Sequence, residues 1–333
     1  MFNPLSKNGC NIGLVLSTVT ETTVAEMQAA GILAEDLGFK SIYVNEGKSD
    51  ALACVQSIAS ATKKIIVGTN IANIHYRQPY LTAATSKVVS EISQGRFVLG
   101  LGISHAGLLK TLGLSIGDGR IKLGAHAKLV ADVLNGESIN GLLKPKPSEY
   151  KIPIYLAGNT VESARLAGKY GDGIMPYLTP RDHLPVLLDA GKTAAIDEKK
   201  NPEEFQCVLS IPTFLSTDDD EARSAAKYNL AFFSQLPNYR RQWRRAGFGT
   251  AMTQLKNLWH KRGTRHDAMK IIPDELLDQV CLVGSVPNCL KQIEAFIDKG
   301  AGEVVLAISP VNEKRDTATT QVLRAFHKHL KGC

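Results

Sequence analysis

A chain of 333 residues, 44% of them hydrophobic, is long enough for a large core, as two average domains or as one α/β barrel with insertions. No apolar run approaches the roughly 18–20 residues that cross a bilayer, and the apolar piece at 12–16 is too short for a secretory leader, so a cytoplasmic protein without a membrane span is expected. The net charge of +7 is local: Arg240, Arg241, Arg244, Arg245, Lys256, Lys261, Arg262, Arg265 and Lys270 share one segment with a single acid, Asp267, so the rest is near neutral and nucleic-acid binding is disfavoured.

Taken in order, the chain alternates strand and helix patterns. A strand is expected over 12–17, then a helix capped by Thr22 or Thr23 with Val24, Met27, Ala30, Ala34 and Leu37 as its stripe. A strand at 41–44 and a helix near 50–62 follow. The β-branched run 65–69 predicts a strand buried on both faces, and Pro79 opens a helix whose apolar positions are Leu81, Ala84, Val88 and Ile92. Gly95 stops that helix, and 97–102 returns as a strand that runs parallel to 65–69. Next come a glycine-spotted loop at 106–119, a helix near 121–134 and a polar, hairpin-like piece at 135–151. Strands at 153–157 and 173–177 bracket a helix at 161–170. A helix over 184–196, a strand over 206–215, a helix over 288–299, a strand over 303–308 and a last helix over 317–330 complete the pattern. Pro212 predicts an irregular end to the 206–215 strand. Eight strands alternating with helices and lacking a linker predict one (β/α)8 TIM barrel over 1–333, with a basic insertion at about 237–278. The competing arrangement is a doubly wound sheet, which needs a reversal of strand order.

Six cysteines, at 10, 54, 207, 281, 289 and 333, show no C-x-x-C and no ligand-like spacing, so reduced, buried thiols and no metal are expected.

Five stretches in succession resemble the bacterial luciferase-like oxidoreductases. They are GFKSIYV at 38–44, GTNI at 68–71 with Arg77-Gln78-Pro79, GRFVLGLG at 95–102, IYLAGN at 154–159 with YGDG at 170–173, and VGS at 283–285 with KGAG at 299–302. The resemblance implies a barrel that binds FMN or the deazaflavin coenzyme F420 at the strand C-termini. It implies a flavin-dependent oxidoreductase that moves a hydride to or from a small organic substrate, like methylenetetrahydromethanopterin reductase-like proteins. The alternatives are a monooxygenase using reduced FMN and oxygen, or a barrel-fold binding protein without redox activity. A homodimer is expected.

The residues also carry their own chemistry. Ala157-Gly158-Asn159-Thr160 leaves a strand and enters a helix, where free N–H groups and the dipole suit a phosphate; a plain βα turn with an N-cap fits equally well. Gly102-Ile103-Ser104 offers a second close approach, against the alternative of tight strand–helix packing. His105 has the chemistry for proton transfer near neutral pH. Glu46 stands where the resembling family often places an acid. In that family's deazaflavin branch a non-prolyl cis peptide matches Asn70-Ile71. His75 and Arg77 follow the 65–69 strand and are read as substrate-facing, with Arg77 equally a clamp for its loop. Arg240 and Arg244, with Arg241 and Arg245, crowd like charges on one helix side, so the insertion is expected to be a mobile, anion-binding lid.

Overall fold

The computed structural model describes residues 11–19, 22–139, 141, 143–313 and 315–330; Cys10 and Cys333 lie outside them. Its strands are β1 (Ile12–Ser17), β2 (Ser41–Asn45), β3 (Ile66–Thr69), β4 (Ala72–Asn73), β5 (Phe97–Gly102), β6 (Ile154–Ala157), β7 (Gly173–Met175), β8 (Gln206–Leu215), β9 (Leu282–Gly284) and β10 (Glu303–Ile308). All the strand pairings are parallel, and β10 pairs with both β1 and β8. That closes the ring β1–β2–β3–β5–β6–β7–β8–β10, an eight-stranded (β/α)8 barrel, and removes the doubly wound alternative. Parallel strands buried on both faces need continuous apolar runs, and these segments supply them.

Inside the ring pack Tyr43, Ile66, Val98, Tyr155, Met175, Val208 and Val305. The larger core lies between strands and helices, among them Leu14, Ile42, Val67, Leu99 and Leu306. At the N-terminal floor Glu303 is fully buried and accepts a hydrogen bond from Ser41 Oγ. Burial pushes its carboxyl up to about 7.

Helix starts follow local chemistry. Thr23 and Glu26 form a capping box, and Asp50 and Asp118 accept from Ala53 N and Ile121 N at 3.0 and 3.2 Å. Three expectations change. Pro212 sits inside a continuous β8, paired with Ala307. Ser210 N points toward the β7 side, donating to Pro176 O, so the nitrogen of Pro212 faces the gap between the last β7 bridge and β9, where no donor is needed. The 106–119 loop contains a short helix, Ala106–Thr111. On helix Pro79–Ile92 the buried face is Thr82, Ala83, Ser86, Val89 and Ser90, while Leu81, Val88 and Ile92 are 56, 46 and 38% exposed. Small side chains let this helix pack closely inward, which turns its large apolar stripe to solvent.

Between β8 and β10 the chain makes helices Asp219–Phe233, Pro237–Arg245, Gly249–His260, Arg265–Ile271 and Asp274–Val280. They close on their own apolar core of Leu230, Trp243, Met252, Leu255, Leu276 and neighbours, which also takes in Phe214 of β8 and Leu178 beyond β7. The four described cysteines, Cys54, Cys207, Cys281 and Cys289, are buried and free. Among the described residues no helix is long and apolar enough to cross a membrane, and no group of His, Cys, Asp or Glu is arranged to hold a metal.

Candidate active site

Three chain segments leaving the carboxyl ends of the strands converge at Gly102. A Cβ placed there would come within 2.6 Å of Ile71 Cγ1 and 3.1 Å of Ala157 Cβ, so the ends of β3, β5 and β6 meet around a missing side chain. The Asn70–Ile71 peptide is cis, the geometry that the resemblance implied. Asn70 is held on both sides of the bend: its N–H donates to Val44 O at 2.8 Å, and its Nδ2 reaches Ser210 Oγ at 2.8 Å across the ring. Chain pairing resumes at β4, alongside the end of β5.

Ser104 takes a left-handed φ of +57° and sends the chain from β5 into His105, the N-cap of helix Ala106–Thr111. Ile103 packs its Cδ1 against Gly119, where a Cβ would lie 2.8 Å away. Burial lowers the imidazole pKa of His105 below its ordinary 6.5, so the ring is mainly neutral at pH 7. Its ring centroid lies 6.2 Å from that of Tyr239, on helix Pro237–Arg245 of the insertion. Tyr239 in turn packs edge-on against Phe233 and Tyr177 at 5.1 and 6.4 Å, and tilts against Trp243 at 5.9 Å. An aromatic wall thus stands beside His105. Periodicity misses this wall, because its rings come from the end of β7, from helix Asp219–Phe233 and from the insertion.

The 157–160 turn is built from one close approach and two uses of polar side chains. A Cβ on Gly158 would lie 2.2 Å from Ser163 Cβ, so only glycine lets the turn fold back on its helix. Thr160 caps helix Val161–Tyr170, accepting from Ser163 N at 3.2 Å. Asn159 Oδ1 accepts from Tyr177 N at 2.9 Å and Thr179 Oγ1 at 3.2 Å, which leaves the Nδ2 end as donor. Glu162 sits in the first helical turn, its carboxyl held below the usual range by the Thr160 hydroxyl, with Arg245 4.0 Å away. A helix N-terminus, a donor amide and nearby arginines form a donor set able to hold a phosphate.

Glu46 and Arg77 meet each other instead of the mouth. Both side chains are buried, and Arg77 grips both Glu46 oxygens through its two terminal nitrogens while also reaching Asp50 at 2.8 Å. Glu46 accepts further from the backbone N–H of Asn73 and of Ala51. A carboxylate with four donors is committed to tying loop and helix ends together, so the geometry favours a clamp over an acid–base role for Glu46. His75 lines a separate cleft of about 630 Å³ with Tyr76, Arg77, Lys122 and His126, whose walls include none of Asn70, Gly102 or the 157–160 turn.

The insertion carries a packed core of its own beneath its charged face. Trp243 is fully buried and donates Nε1–H to Leu178 O at 3.0 Å, and Gln242 donates Nε2–H to Leu178 O and to Thr179 Oγ1 at 3.2 and 2.8 Å. Trp243 and Gln242 thus pack this helix against the segment beyond β7. Arg240 is partly buried and bonds Ser234 O, while Arg241, Arg244 and Arg245 are exposed.

The chain is similar to known proteins over most of its length. The chain is 26% identical over 327 residues to a Mycobacterium tuberculosis protein named as a coenzyme F420-dependent oxidoreductase, covering 88% of this chain and 93% of that protein. It is 25% identical over 317 residues to the 5,10-methylenetetrahydromethanopterin reductase of Archaeoglobus fulgidus, covering 90 and 94%. The solved coenzyme F420-dependent tetrahydromethanopterin reductase of Methanopyrus kandleri superposes with a TM-score of 0.76 at 18% identity, covering 97% of this chain and 99% of that one. The sequence model described as luciferase-like monooxygenase matches residues 12–303, most of the chain, and so the protein belongs to the luciferase-like monooxygenase family.

Proposed function

We propose that this protein is an oxidoreductase that binds coenzyme F420 or FMN across the barrel mouth and transfers a hydride to or from a small organic substrate. The observation that carries the reading is the convergence of Ile71, Gly102 and Ala157 next to a phosphate-compatible turn. Asn70, Ile71, Gly102, Ile103 and Ser104 would border the cofactor ring. Ala157, Gly158, Asn159 and Thr160 would hold its phosphate, through N–H groups and the Asn159 amide. When bound, the cofactor supplies the hydride chemistry, and the protein supplies position and electrostatics. Neutral His105 accepts the proton that leaves a substrate hydroxyl on oxidation and returns it on reduction. Tyr177, Phe233 and Tyr239 keep water from that transfer. Arg77 and Glu46 hold the 73–77 loop in shape, while Arg240 and Arg244 add positive potential on the insertion side.

The test is an absorbance titration of the purified protein with F420 and with FMN, followed by anaerobic mixing of the loaded protein with alcohols, aldehydes and enones. Saturable binding and a substrate-dependent spectral change support the reading; binding of neither cofactor overturns it. The family's description favours one other activity, oxygenation with reduced FMN. Oxygen uptake dependent on both reduced FMN and substrate would select it. A cytoplasmic homodimer completes the proposal, supported by the exposed Leu81, Val88 and Ile92 stripe, and sedimentation of the wild type against Leu81→Glu/Val88→Glu checks the pairing.

A further inference from the structure

We propose that Gln242, on the helical insertion, is a positioning residue for the phosphate end of the cofactor site and acts through Thr179 and Asn159. The inference rests on the reading that the 157–160 turn holds that phosphate. The chain of contacts has a direction. Gln242 Nε2 donates to Thr179 Oγ1 at 2.8 Å, which commits an oxygen lone pair of the hydroxyl and leaves its single proton to donate onward. The acceptor of that proton is Asn159 Oδ1, at 3.2 Å, which also receives Tyr177 N–H at 2.9 Å. With two donors on its oxygen, the Asn159 carboxamide cannot flip without facing N–H groups toward N–H and O–H donors. Its Nδ2 end is therefore kept on the side away from Thr179 and Tyr177, as a donor ready for a ligand oxygen.

The relay is buried: Gln242 and Thr179 are 3 and 1% exposed. Water therefore competes little for these bonds, and bonds in series polarise one another. Gln242 is held in place from both sides, since its Nε2 also donates to Leu178 O at 3.2 Å, and the next residue, Trp243, anchors the helix through the same carbonyl. The insertion thus reaches the cofactor turn through polar contacts made by residues with no phosphate-binding signature of their own. Asn159 presents a donor only, so the ligand atom that it meets must be an acceptor, as a phosphate oxygen is.

The experiment separates recognition of the phosphate end from general integrity by comparing ligands that carry that end with ligands that lack it. Dissociation constants are measured for FMN and riboflavin, and for F420 and its phosphate-free deazaflavin core, with wild type, Asn159→Ala, Thr179→Val, Thr179→Ser and Gln242→Met, each checked by thermal unfolding. Expected is a wild-type preference for the phosphorylated ligand that shrinks about five- to tenfold in Asn159→Ala, Thr179→Val and Gln242→Met, with unphosphorylated ligands unaffected. Thr179→Ser, which keeps the hydroxyl, restores the preference. Adding Thr179→Val to Asn159→Ala has no further effect, because both act on one amide. If Asn159→Ala shrinks the preference but the Thr179 and Gln242 variants do not, or if they weaken both ligand classes equally, the positioning role is wrong and the reading of the turn stands. If Asn159→Ala leaves the preference unchanged, or the wild type has none, the reading of the turn fails and takes the inference with it.

Discussion

The two ends of this barrel handle polar groups in opposite ways. At the floor, Glu303 is sealed among Ser41, Tyr43 and strand backbone, and a Cβ on Gly13 would lie 2.6 Å from its Oε1, so the space is filled. At the mouth, Asn159 and His105 hold donor or acceptor capacity that no described neighbour of comparable chemistry uses up, and Gly102 lets Ile71 and Ala157 close in on the end of β5. The floor shuts its polar groups away from solvent, Glu303 Oε2 even without a hydrogen-bond partner among the described residues, and serves closure of the ring, while the mouth keeps donor capacity where a ligand can reach it. The same division separates Glu46 from His105 within the mouth region: one carboxylate is saturated by Arg77 and two N–H groups, and one imidazole rests against an aromatic ring.

That contrast is open to attack by substitution. The largest effect is expected from Gly102→Val, which puts a side chain into the space shared by Ile71 and Ala157. Cofactor affinity should fall by about a hundredfold or more, with a stability cost of about 1–3 kcal/mol, because a Cβ there lies 2.6 Å from Ile71 Cγ1 and 3.1 Å from Ala157 Cβ and these side chains must shift. Titration alongside thermal unfolding checks both halves, and an unaltered affinity would remove the cofactor from the end of β5.

His105→Ala should lower kcat by roughly a hundredfold while leaving the dissociation constant of the cofactor within a few-fold. The pH profile gives the sign. The neutral ring is the active base and its pKa is lowered from 6.5, so wild-type activity is level above pH 6.5 and declines only at more acid values. The variant lacks that acid limb. A retained limb would assign it to another group.

The floor should respond in stability and stay silent in catalysis. The carboxyl of Glu303 titrates at about 7 when folded, against an ordinary value of 4.5. The folded state therefore holds its proton more tightly, so this contribution is complete below pH 4.5 and is lost as pH rises through about 7. Glu303→Gln should flatten that window in denaturant titrations, by an amount on the order of a few kcal/mol. Activity per folded molecule should not change, and a loss of cofactor affinity in Glu303→Gln would break the division between floor and mouth.

The smallest effect is expected from Arg245→Gln. Its side chain is more than half exposed and lies 4.0 Å from Glu162, so screening leaves it little strength. Cofactor affinity should fall no more than a few-fold at low salt and coincide with wild type at high salt. A large loss that persists in salt would mean that Arg245 touches the ligand directly.

Much of the architecture was legible from local chemistry. Strand positions follow from apolar β-branched runs, and helix starts from Thr23, Asp50, Pro79 and Thr160, because propensity and capping depend on neighbours within a few residues. The close approach at Gly102 and the bend at Asn70–Ile71 were readable too, as glycine and family pattern. Burial and pairing were not. The stripe Leu81, Val88 and Ile92 has the spacing of a core face, yet a helix packs the face whose small residues fit its neighbours. The arginines of 240–245 read as a charge cluster, yet Gln242 and Trp243 between them are buried and bonded to Leu178 and Thr179.

The sequence by itself determined the alternation of strands and helices, the caps, and the small residues at the strand ends, since each depends on groups close together along the chain. Tertiary structure alone decided that β10 closes the ring on β1 and β8, that Arg77 takes up Glu46, that Tyr239 stands beside His105, and that Gln242 reaches Asn159 through Thr179. Those partners lie tens to hundreds of residues apart, and which donor meets which acceptor is settled only when the barrel's curvature and the packing of the insertion bring them within about 3 Å.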